Sequence, residues 1–430
     1  MMATRSLEMV MKIENKSHID QSDTTLEKLA CEGLKRRMED ILVKYPECNT
    51  EQQAYQDRLF SELEIIKQAQ LSDEFLMMSD IVTWAKDKGI PVGPGRGAIV
   101  GSLVAYAIRV TDIDPLRYNL LIERCLNTER RIMPAVDMDF CEDRRDEVVQ
   151  YAMNKYGGDL DNDGCRLRIL LPVKHDAVSG VAQADMNLLT TASPVTLNFH
   201  GLKQLTSINK TVQLIRAGQL PDLDLADLSD DDSYVISLIA SGKTKFTFQF
   251  ESDGMKDFIR QLNPKCFEDL IAAISLYRPF PIESGMAHDF IRLKNGPRKI
   301  VYELPQLVPI LKDTYGIAIY QEQFLEIFHT IGGYSLGEAD LLRRKLIKMD
   351  AATLSINKDR FIVGANKQGV SARTATMLFN RMTRYGEHYF LKAHAVAYAT
   401  ISYQSAFLKA YYPKEFKAVF RSQLKLDIGP

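Results

Sequence analysis

The short alternating stretch "VDMDF", which begins at Val136, constrains the fold more than any other part of the sequence. Successive side chains of a β-strand point to opposite faces. Val136, Met138 and Phe140 therefore share one face, while Asp137 and Asp139 share the other. The pattern predicts a strand whose apolar face packs on a core and whose two carboxylates lie side by side on an open face.

The two aspartates allow two interpretations. Like charges this close repel each other unless a cation lies between them. Carboxylate oxygens suit Mg²⁺, which usually keeps several waters and also binds substrate phosphates. However, alternation alone is equally typical of a half-buried strand that carries two solvated aspartates. The stretch by itself therefore predicts either metal ligands or ordinary surface residues.

Length and composition set the class of protein. A chain of 430 residues is long enough for two or three domains. Its net charge of −2 gives no global sign of nucleic-acid binding, so any basic surface must be local. No apolar run is long enough to cross a bilayer. The six cysteines include no C-x-x-C pair, which is typical of the reducing cytoplasm. We expect a cytoplasmic protein with no membrane contact.

Periodicity predicts a mixed α+β fold. Apolar residues three and four apart predict helices over residues 24–70, and another in "DEFLMMSDIVTWAKDKG". The segment "CEDRRDEVVQYAMNKYG" predicts a helix that ends near Gly157. Further strands are predicted in "LRILLPV", "PVTLNFHGL" and "KFTFQFES". After about residue 233 the pattern is mostly helical.

A glycine-rich segment, "GPGRGAIVGS", precedes the aspartates. It predicts a tight turn, preceded by a short strand and followed by a buried helix that starts near Ala98. Backbone N–H groups at such a helix start favour phosphate. The segment lacks the G-K-[ST] ending of a Walker A loop, so alone it is a weak signal.

A basic segment, "GYSLGEADLLRRKLIKM", lies in the second half of the chain. Ser335 and Glu338 have the spacing of a capping box. Arg343, Arg344 and Lys348 follow on the predicted helix, where residues four apart share a face. Such a cluster suits a polyphosphate or a nucleic-acid backbone, or forms a solvated helix face.

Read in order, these segments resemble the bacterial DNA polymerase III alpha family, the C-family replicative polymerases. The glycine turn and "IMPAVDMDF" are similar to that family's first palm segment. The similarity continues through "KFTFQFESDGMKDFIRQLNPKCFEDLIAAISLYRP", "GGYSLGEADLLRR" and "AHAVAYATISYQSAFLKAYYP", and covers most of residues 25–425. Taken alone, the last of these predicts either base-stacking rings or a helix that packs its aromatic side chains into a core.

The resemblance implies a palm related to polymerase-beta-like nucleotidyltransferases, with a small mixed sheet and helices, followed by a helical fingers domain. The implied division is 1–74 for a helical N-terminal remnant, 75–205 for the palm and 206–430 for the fingers. The family's thumb is expected to be missing near 157–168.

The resemblance also implies functional residues. Asp137 and Asp139 correspond to two catalytic metal ligands, and Asn198 occupies the position of the third carboxylate. The implied nucleotide contacts are Gly95, Arg96, Gly101, Ser102, Arg343, Arg344 and Lys348. The implied cofactor is Mg²⁺, with two ions in the family and one or two here. The implied partners are DNA primer–template, dNTPs and other replication subunits.

Several positions depart from the family's pattern. Ala135 and Asn198 each stand where the family has aspartate, and Ala98 stands in place of the serine of the turn. Further departures are Phe280 for glycine, Leu391 for asparagine and Ala393 for serine. These changes leave two function classes open: an impaired template-directed polymerase, or a degenerate module that binds nucleotide, DNA or protein without catalysis.

Overall fold

The computed structural model describes a mostly helical chain with one small sheet. The described residues are 21–41, 52–127, 129, 134–169, 195–218, 220–297 and 299–427. The predicted α+β class is confirmed. None of the described helices is both long and apolar enough to cross a membrane.

The chain divides into two compact units. The first consists of Met1–Arg117 and Cys125–Lys203, and the second of Tyr118–Arg124 and Gln204–Pro430. The second unit thus takes a short segment from the middle of the first. The three-part division into 1–74, 75–205 and 206–430 stays a prediction.

Three amphipathic helices open the first unit. They are α1 (residues 21–41), α2 (Gln52–Gln68) and α3 (Ser72–Asp87). Each buries the apolar stripe that its three-and-four spacing creates, for example Leu59 and Ile66 of α2. The helices predicted over 24–70 and after Asp73 are confirmed, except at 42–51, which lie outside the described residues.

The sheet has the order β1-β4-β3-β2. Its strands are β1 (Val136–Cys141), β2 (Asp159–Leu160), β3 (Arg166–Ile169) and β4 (Val195–Leu202). β1 pairs with β4 in parallel, and the other two pairings are antiparallel. The strands predicted from "VDMDF" and "PVTLNFHGL" are confirmed. The strand predicted in "LRILLPV" is confirmed for β3, and the rest of that segment lies outside the described residues.

Helix α5 (Arg145–Tyr156) follows β1 and buries Val148, Val149 and Ala152. It ends at Gly157, whose φ of 68° lies in the left-handed region that glycine tolerates best. The predicted end of this helix is confirmed.

The second unit is helical. Its longer helices are α6 (Lys203–Gly218), α7 (Ser233–Ala240), α8 (Asp253–Leu262), α9 (Phe267–Leu276), α11 (Met286–Asn295), α13 (Gln321–Thr330), α14 (Leu336–Lys345), α15 (Ala351–Lys367), α16 (Ala372–Tyr385), α17 (Lys392–Tyr411) and α18 (Pro413–Asp427). Two shorter ones are α10 (Pro279–Glu283) and α12 (Val308–Leu311). Phe324, Phe328, Phe361 and Phe379 form the centre of a buried aromatic core.

The strand predicted in "KFTFQFES" is wrong. The segment forms consecutive turns, with Phe246 at φ 65° and Gln249 at φ 61°. A left-handed residue cannot continue a strand. Of its alternating apolar side chains Phe250 is buried, while Phe246 and Phe248 are partly buried. Phe246 stacks on Phe420 of α18 with ring centroids 5.3 Å apart.

The glycine-rich segment is more irregular than predicted. The short strand before it is reduced to one antiparallel bridge, between Val92 and Phe140. A 3₁₀ turn over Gly97–Gly101 replaces the predicted helix start near Ala98, and the α-helix (α4) spans only Leu103–Ala107. Ser102 caps α4 by accepting a hydrogen bond from the Ala105 N–H.

A buried glutamate of α2 holds this segment from behind. Glu62 is fully buried and forms an ion pair with Arg58, with Nε and Oε1 2.5 Å apart. Its other oxygen accepts hydrogen bonds from the Ser102 hydroxyl at 2.9 Å and the Val104 N–H at 3.1 Å. The Arg58 guanidinium also donates to the Gly101 carbonyl at 3.1 Å. One carboxylate therefore ties the end of the turn to α2.

We predict that Glu62→Ala destabilises the first unit by about 3–5 kcal/mol, because it removes the buried carboxylate that a serine hydroxyl, a backbone N–H and a guanidinium share as acceptor. Chemical denaturation, followed by the stacked Trp84 as a probe of this unit, measures the change. The control is Glu64→Ala on the same helix, at an exposed residue, which should cost within about 0.5 kcal/mol. Equal small effects would mean that the buried carboxylate does not support the turn.

Candidate active site

The two aspartates of β1 differ in burial. The apolar face behaves as predicted: Val136, Met138 and Phe140 are all buried. On the other face the Asp137 side chain is 34% exposed, but Asp139 is only 1% exposed. The predicted open face is thus wrong at Asp139. The glycine segment covers it, since the Gly93 N–H donates to the Asp139 carbonyl at 2.7 Å.

β4 brings two side chains beside Asp137. The parallel register pairs Asp137 with Asn198 and Asp139 with His200. The Asn198 amide donates to Asp137 Oδ1 at 2.9 Å, and His200 Nε2 lies 2.8 Å from the same oxygen. Burial raises the pKa of Asp137, but these two hydrogen bonds and the charge of Arg96 outweigh it, so the pKa lies below its usual value. This carboxylate is therefore ionised at neutral pH.

The glycine turn supplies a cation to Asp139. Arg96 Nη1 lies 3.0 Å from Asp139 Oδ1. Gly95, at φ 130°, has no room for a side chain, because a Cβ there would lie 2.8 Å from the Val100 side chain. The positive φ and the close packing against Val100 and Thr111 together require glycine here.

Asp139 retains an oxygen with no partner. Its Oδ2 is buried and makes no hydrogen bond, and neither does the buried Thr111 hydroxyl. Both residues line a cavity of about 10 Å³, together with Gly93 and Gly95. Burial raises the pKa of Asp139 above its usual value, against the opposing charge of Arg96. An unsatisfied buried carboxylate oxygen is costly, and a ligand at this point would relieve it.

Gly101 and Ser102 are not accessible to a ligand at the aspartates. Ser102 is fully buried, and both residues are bonded to the Arg58–Glu62 pair. The structure thus brings together Gly95, Arg96, Asp137, Asp139 and Asn198, and places Gly101 and Ser102 behind them.

Arg166 is a residue of the site that the sequence reasoning missed. Its Nε donates to the Asn198 carbonyl oxygen at 3.0 Å, so the amide bridges Arg166 and Asp137. The sequence of β3 does indicate that Arg166 points away from the core, because polar and apolar residues alternate there. Arg166 and Arg168 are exposed, whereas Leu167 and Ile169 are buried. Only the pairing of β3 with β4 shows that Arg166 lies opposite Asn198.

The basic residues of α14 surround one buried carboxylate. The predicted capping box of Ser335 and Glu338 is confirmed. Asp340 is fully buried and pairs with Arg344, with Oδ2 and Nε 2.6 Å apart, and with Arg124. Arg343 Nε lies 3.9 Å from Asp340 Oδ1. Three guanidinium groups therefore share one aspartate.

Arg343 carries the unbalanced charge of this cluster. Its side chain is 10% exposed, and its Nε is buried without a hydrogen-bond partner. Burial, together with the charge of Arg124, lowers the pKa of Arg343 to about 9. An anion near this group would supply both the missing acceptor and the missing charge.

Lys348 does not continue the helix as predicted. α14 ends at Lys345, and Lys348 lies in a 3₁₀ turn over Leu346–Lys348. The tighter turn has about three residues per turn, so Arg344 and Lys348 are not stacked one α-helical turn apart. The arginine cluster and Lys348 belong to the second unit, and the aspartates to the first.

The donor groups around the aspartates fit one divalent cation. The orphaned Asp139 Oδ2 provides one oxygen, and no described hydrogen bond involves Asp137 Oδ2. The position that the resemblance assigns to a third carboxylate carries the neutral amide of Asn198. The nitrogen of this amide, and not its oxygen, faces Asp137. Within the described ranges no group of three or more His, Cys, Asp or Glu residues is arranged to hold a metal.

Comparison with known proteins relates both units to one family. Residues 24–162 match the family model for the bacterial DNA polymerase III alpha NTPase domain, and residues 204–369 match that for the bacterial DNA polymerase III alpha subunit finger domain. Together they account for more than half of the chain.

Curated relatives match nearly the whole chain. DNA polymerase III subunit alpha of Campylobacter jejuni is 35% identical over 492 residues, covering 93% of this chain and 40% of the relative. The corresponding proteins of Aquifex aeolicus and Escherichia coli K12 are 32% and 33% identical, covering 94% and 91% of this chain and 44% and 42% of the relatives. The chain thus spans about 40% of the length of these relatives. Since both family models and these relatives agree along the chain, it belongs to the bacterial DNA polymerase III alpha family.

Proposed function

We propose that this chain is a palm-and-fingers module of DNA replication that binds dNTPs and primer–template and transfers nucleotides less efficiently than its relatives. The observation that carries the proposal is the β1–β4 register, which sets Asp137, Asp139 and Asn198 beside the glycine turn. The family's activity is a two-metal nucleotidyl transfer; here the donor groups support one ion.

Asp137 and Asp139 would hold the divalent ion, for which Mg²⁺ is the expected species. When bound, such an ion neutralises charge on phosphoryl oxygens. Arg96 balances Asp139 in the described structure, and its side chain is 28% exposed. When a cation neutralises Asp139 instead, the Arg96 side chain can therefore turn toward a triphosphate. Gly101 and Ser102 act as supports of the turn through Glu62.

Arg343, Arg344 and Lys348 are the proposed triphosphate contacts of the fingers. Arg343 supports this assignment best, because its orphaned donor and depressed pKa both indicate a site that lacks an anion. Asp340 and Arg124 would hold the cluster in place before the nucleotide arrives. Such preorganised charge is the main source of catalysis in phosphoryl transfer.

Two features argue for impaired transfer. The third carboxylate position is an amide, and a neutral amide is a weak ligand for a hard cation beside carboxylate. The alignment with the Campylobacter relative extends over 492 residues, whereas this chain has 430. That difference supports the proposal that an internal segment, the thumb near 157–168, is missing here.

A binding module without catalysis is the second candidate. The observation that favours it is that side chains of the protein itself already donate hydrogen bonds to both carboxylates. Asp137 Oδ1 accepts from two side chains, and Asp139 Oδ1 pairs with Arg96. A divalent ion has to compete with all three groups.

Primer extension separates the two candidates. We expect slow incorporation of single nucleotides with Mn²⁺ and less with Mg²⁺, and no incorporation by the double variant Asp137→Ala, Asp139→Ala. Gel analysis of a labelled primer measures it. If the wild type incorporates no more than the double variant, the module binds without catalysis.

We predict that Asn198→Asp strengthens binding of Mn²⁺. The new carboxylate restores negative charge beside Asp137, and the neighbouring Arg166 tolerates it as a partner. Titration followed by paramagnetic relaxation of water measures affinity and stoichiometry. The matched control is Asn154→Asp on α5, an exposed residue outside the cluster, which should bind as the wild type does. Equal affinities in all three proteins would mean that the amide does not limit the site.

We predict that the double variant Arg343→Ala, Arg344→Ala loses dNTP binding, because two of the three cations around Asp340 are removed. Calorimetric titration with a dNTP and Mg²⁺ measures the loss. Lys345→Ala, at an exposed residue of the same helix, should retain the wild-type affinity. Retained binding in the double variant would exclude α14 from the nucleotide site.

A further inference from the structure

The second unit carries a patch of five lysines that the proposed nucleotide site does not use. The lysine patch consists of Lys243, Lys245, Lys256, Lys409 and Lys417. Two of them lie in the turns before α8 and one on α8 itself. The other two lie near the end of α17 and on α18.

Direct contacts hold these elements together. The Lys409 ammonium donates hydrogen bonds to the carbonyl oxygens of Lys243 and Lys245, the latter at 2.8 Å. The turn residue Phe246 stacks on Phe420 of α18 and lies 5.1 Å below the Lys245 ammonium. The left-handed turn that replaces the predicted strand is what brings these lysines to one place.

Basic residues outnumber acidic ones in the segments that carry the patch. Lys256 pairs with Asp253 at 2.8 Å. Lys243, Lys245 and Lys417 are exposed, and the described part of the chain offers none of them a carboxylate within ion-pair distance. Burial, followed by the charges of Lys256, Lys417 and Lys245, lowers the pKa of Lys409 to about 8. The patch therefore has an excess of positive charge, although the whole chain has a net charge of −2.

We propose that the lysine patch binds the phosphodiester backbone of DNA, an inference that rests on the proposed function. Lysine is a flexible point charge that suits phosphates, and contacts to phosphates carry no information about base sequence. Each phosphate that it neutralises releases counterions, so binding of this kind depends on salt and not on base sequence. The patch would add an electrostatic contact to the DNA in addition to the nucleotide site.

An anionic membrane is the other polyanion that such charges attract. Stable membrane attachment also needs inserted apolar side chains. Among the strongly exposed large apolar residues of the described chain, Tyr411 lies nearest in sequence to the patch, two residues after Lys409. Its hydroxyl donates a hydrogen bond to Asp232 at 2.7 Å, which holds this ring to the protein. The structure therefore favours a nucleic-acid backbone.

The test is the salt dependence of binding to a fluorescein-labelled primer–template, measured by anisotropy on the full chain. The test variant is Lys243→Gln, Lys245→Gln, Lys417→Gln, which leaves the Lys409 hydrogen bonds intact. We expect the log–log slope to fall in magnitude by about 2–3, since each lost phosphate contact removes about 0.9. The matched control, Lys299→Gln, Lys312→Gln, Lys367→Gln, changes the same charge at exposed positions elsewhere in the unit and should keep the wild-type slope.

Three results would overturn the inference. One is an equal slope in the test variant and the wild type, and another is an equal fall in the control. The third is loss of binding to phosphatidylserine vesicles in the test variant while primer–template binding is unchanged. Calorimetric dNTP binding, measured on the wild type and both variants, keeps the two proposals apart. If only the lysine inference fails, all three proteins bind dNTP with equal affinity; if the proposed function fails, none of them binds it.

Discussion

The parallel pairing of β1 with β4 is the contact on which the candidate site depends. Asp137 and Asn198 are 61 residues apart in the chain, and only this register sets them side by side. A shift by one residue would turn every side chain of one strand to the other face, so Asn198 and His200 would leave the carboxylates. The buried face resists such a shift, because Phe140 and Phe199 stack there with ring centroids 5.8 Å apart. Packing of the apolar face thus determines the chemistry of the polar face.

Both units contain a cluster of charges that the protein alone does not balance. In the first unit Asp139 keeps a buried oxygen without a partner, even though Arg96 pairs with the other oxygen. In the second unit Arg343 keeps a buried donor without a partner, even though Asp340 lies nearby. One cluster lacks a cation and the other an anion. Each defect is a separate argument for the proposed function: the first for a divalent ion and the second for a phosphate.

The sequence predicted the local elements well and their irregular connections poorly. Strand β1, strand β4, helix α5 with its end at Gly157 and the capping box at Ser335 follow from periodicity and turn chemistry. The strand at "KFTFQFES" was wrong, because alternation does not reveal that Phe246 and Gln249 adopt positive φ. The helix at Ala98 was wrong because Gly97–Gly101 forms a 3₁₀ turn that Glu62 ties to α2 from outside the segment. At the glycine segment, contacts from a distant helix thus outweighed the local preference.

The sequence by itself determined the α+β class, the alternation of side chains along β1, β3 and β4, and the family to which the motifs belong. These depend on backbone geometry and on residues that are neighbours in the chain. Only the tertiary structure decided that Asp139 is buried, that Arg166 reaches Asn198, that Ser102 supports the turn from behind, and that five lysines meet at one surface. Burial and charge pairing depend on segments that are far apart in sequence. No local pattern encodes which of those segments come into contact.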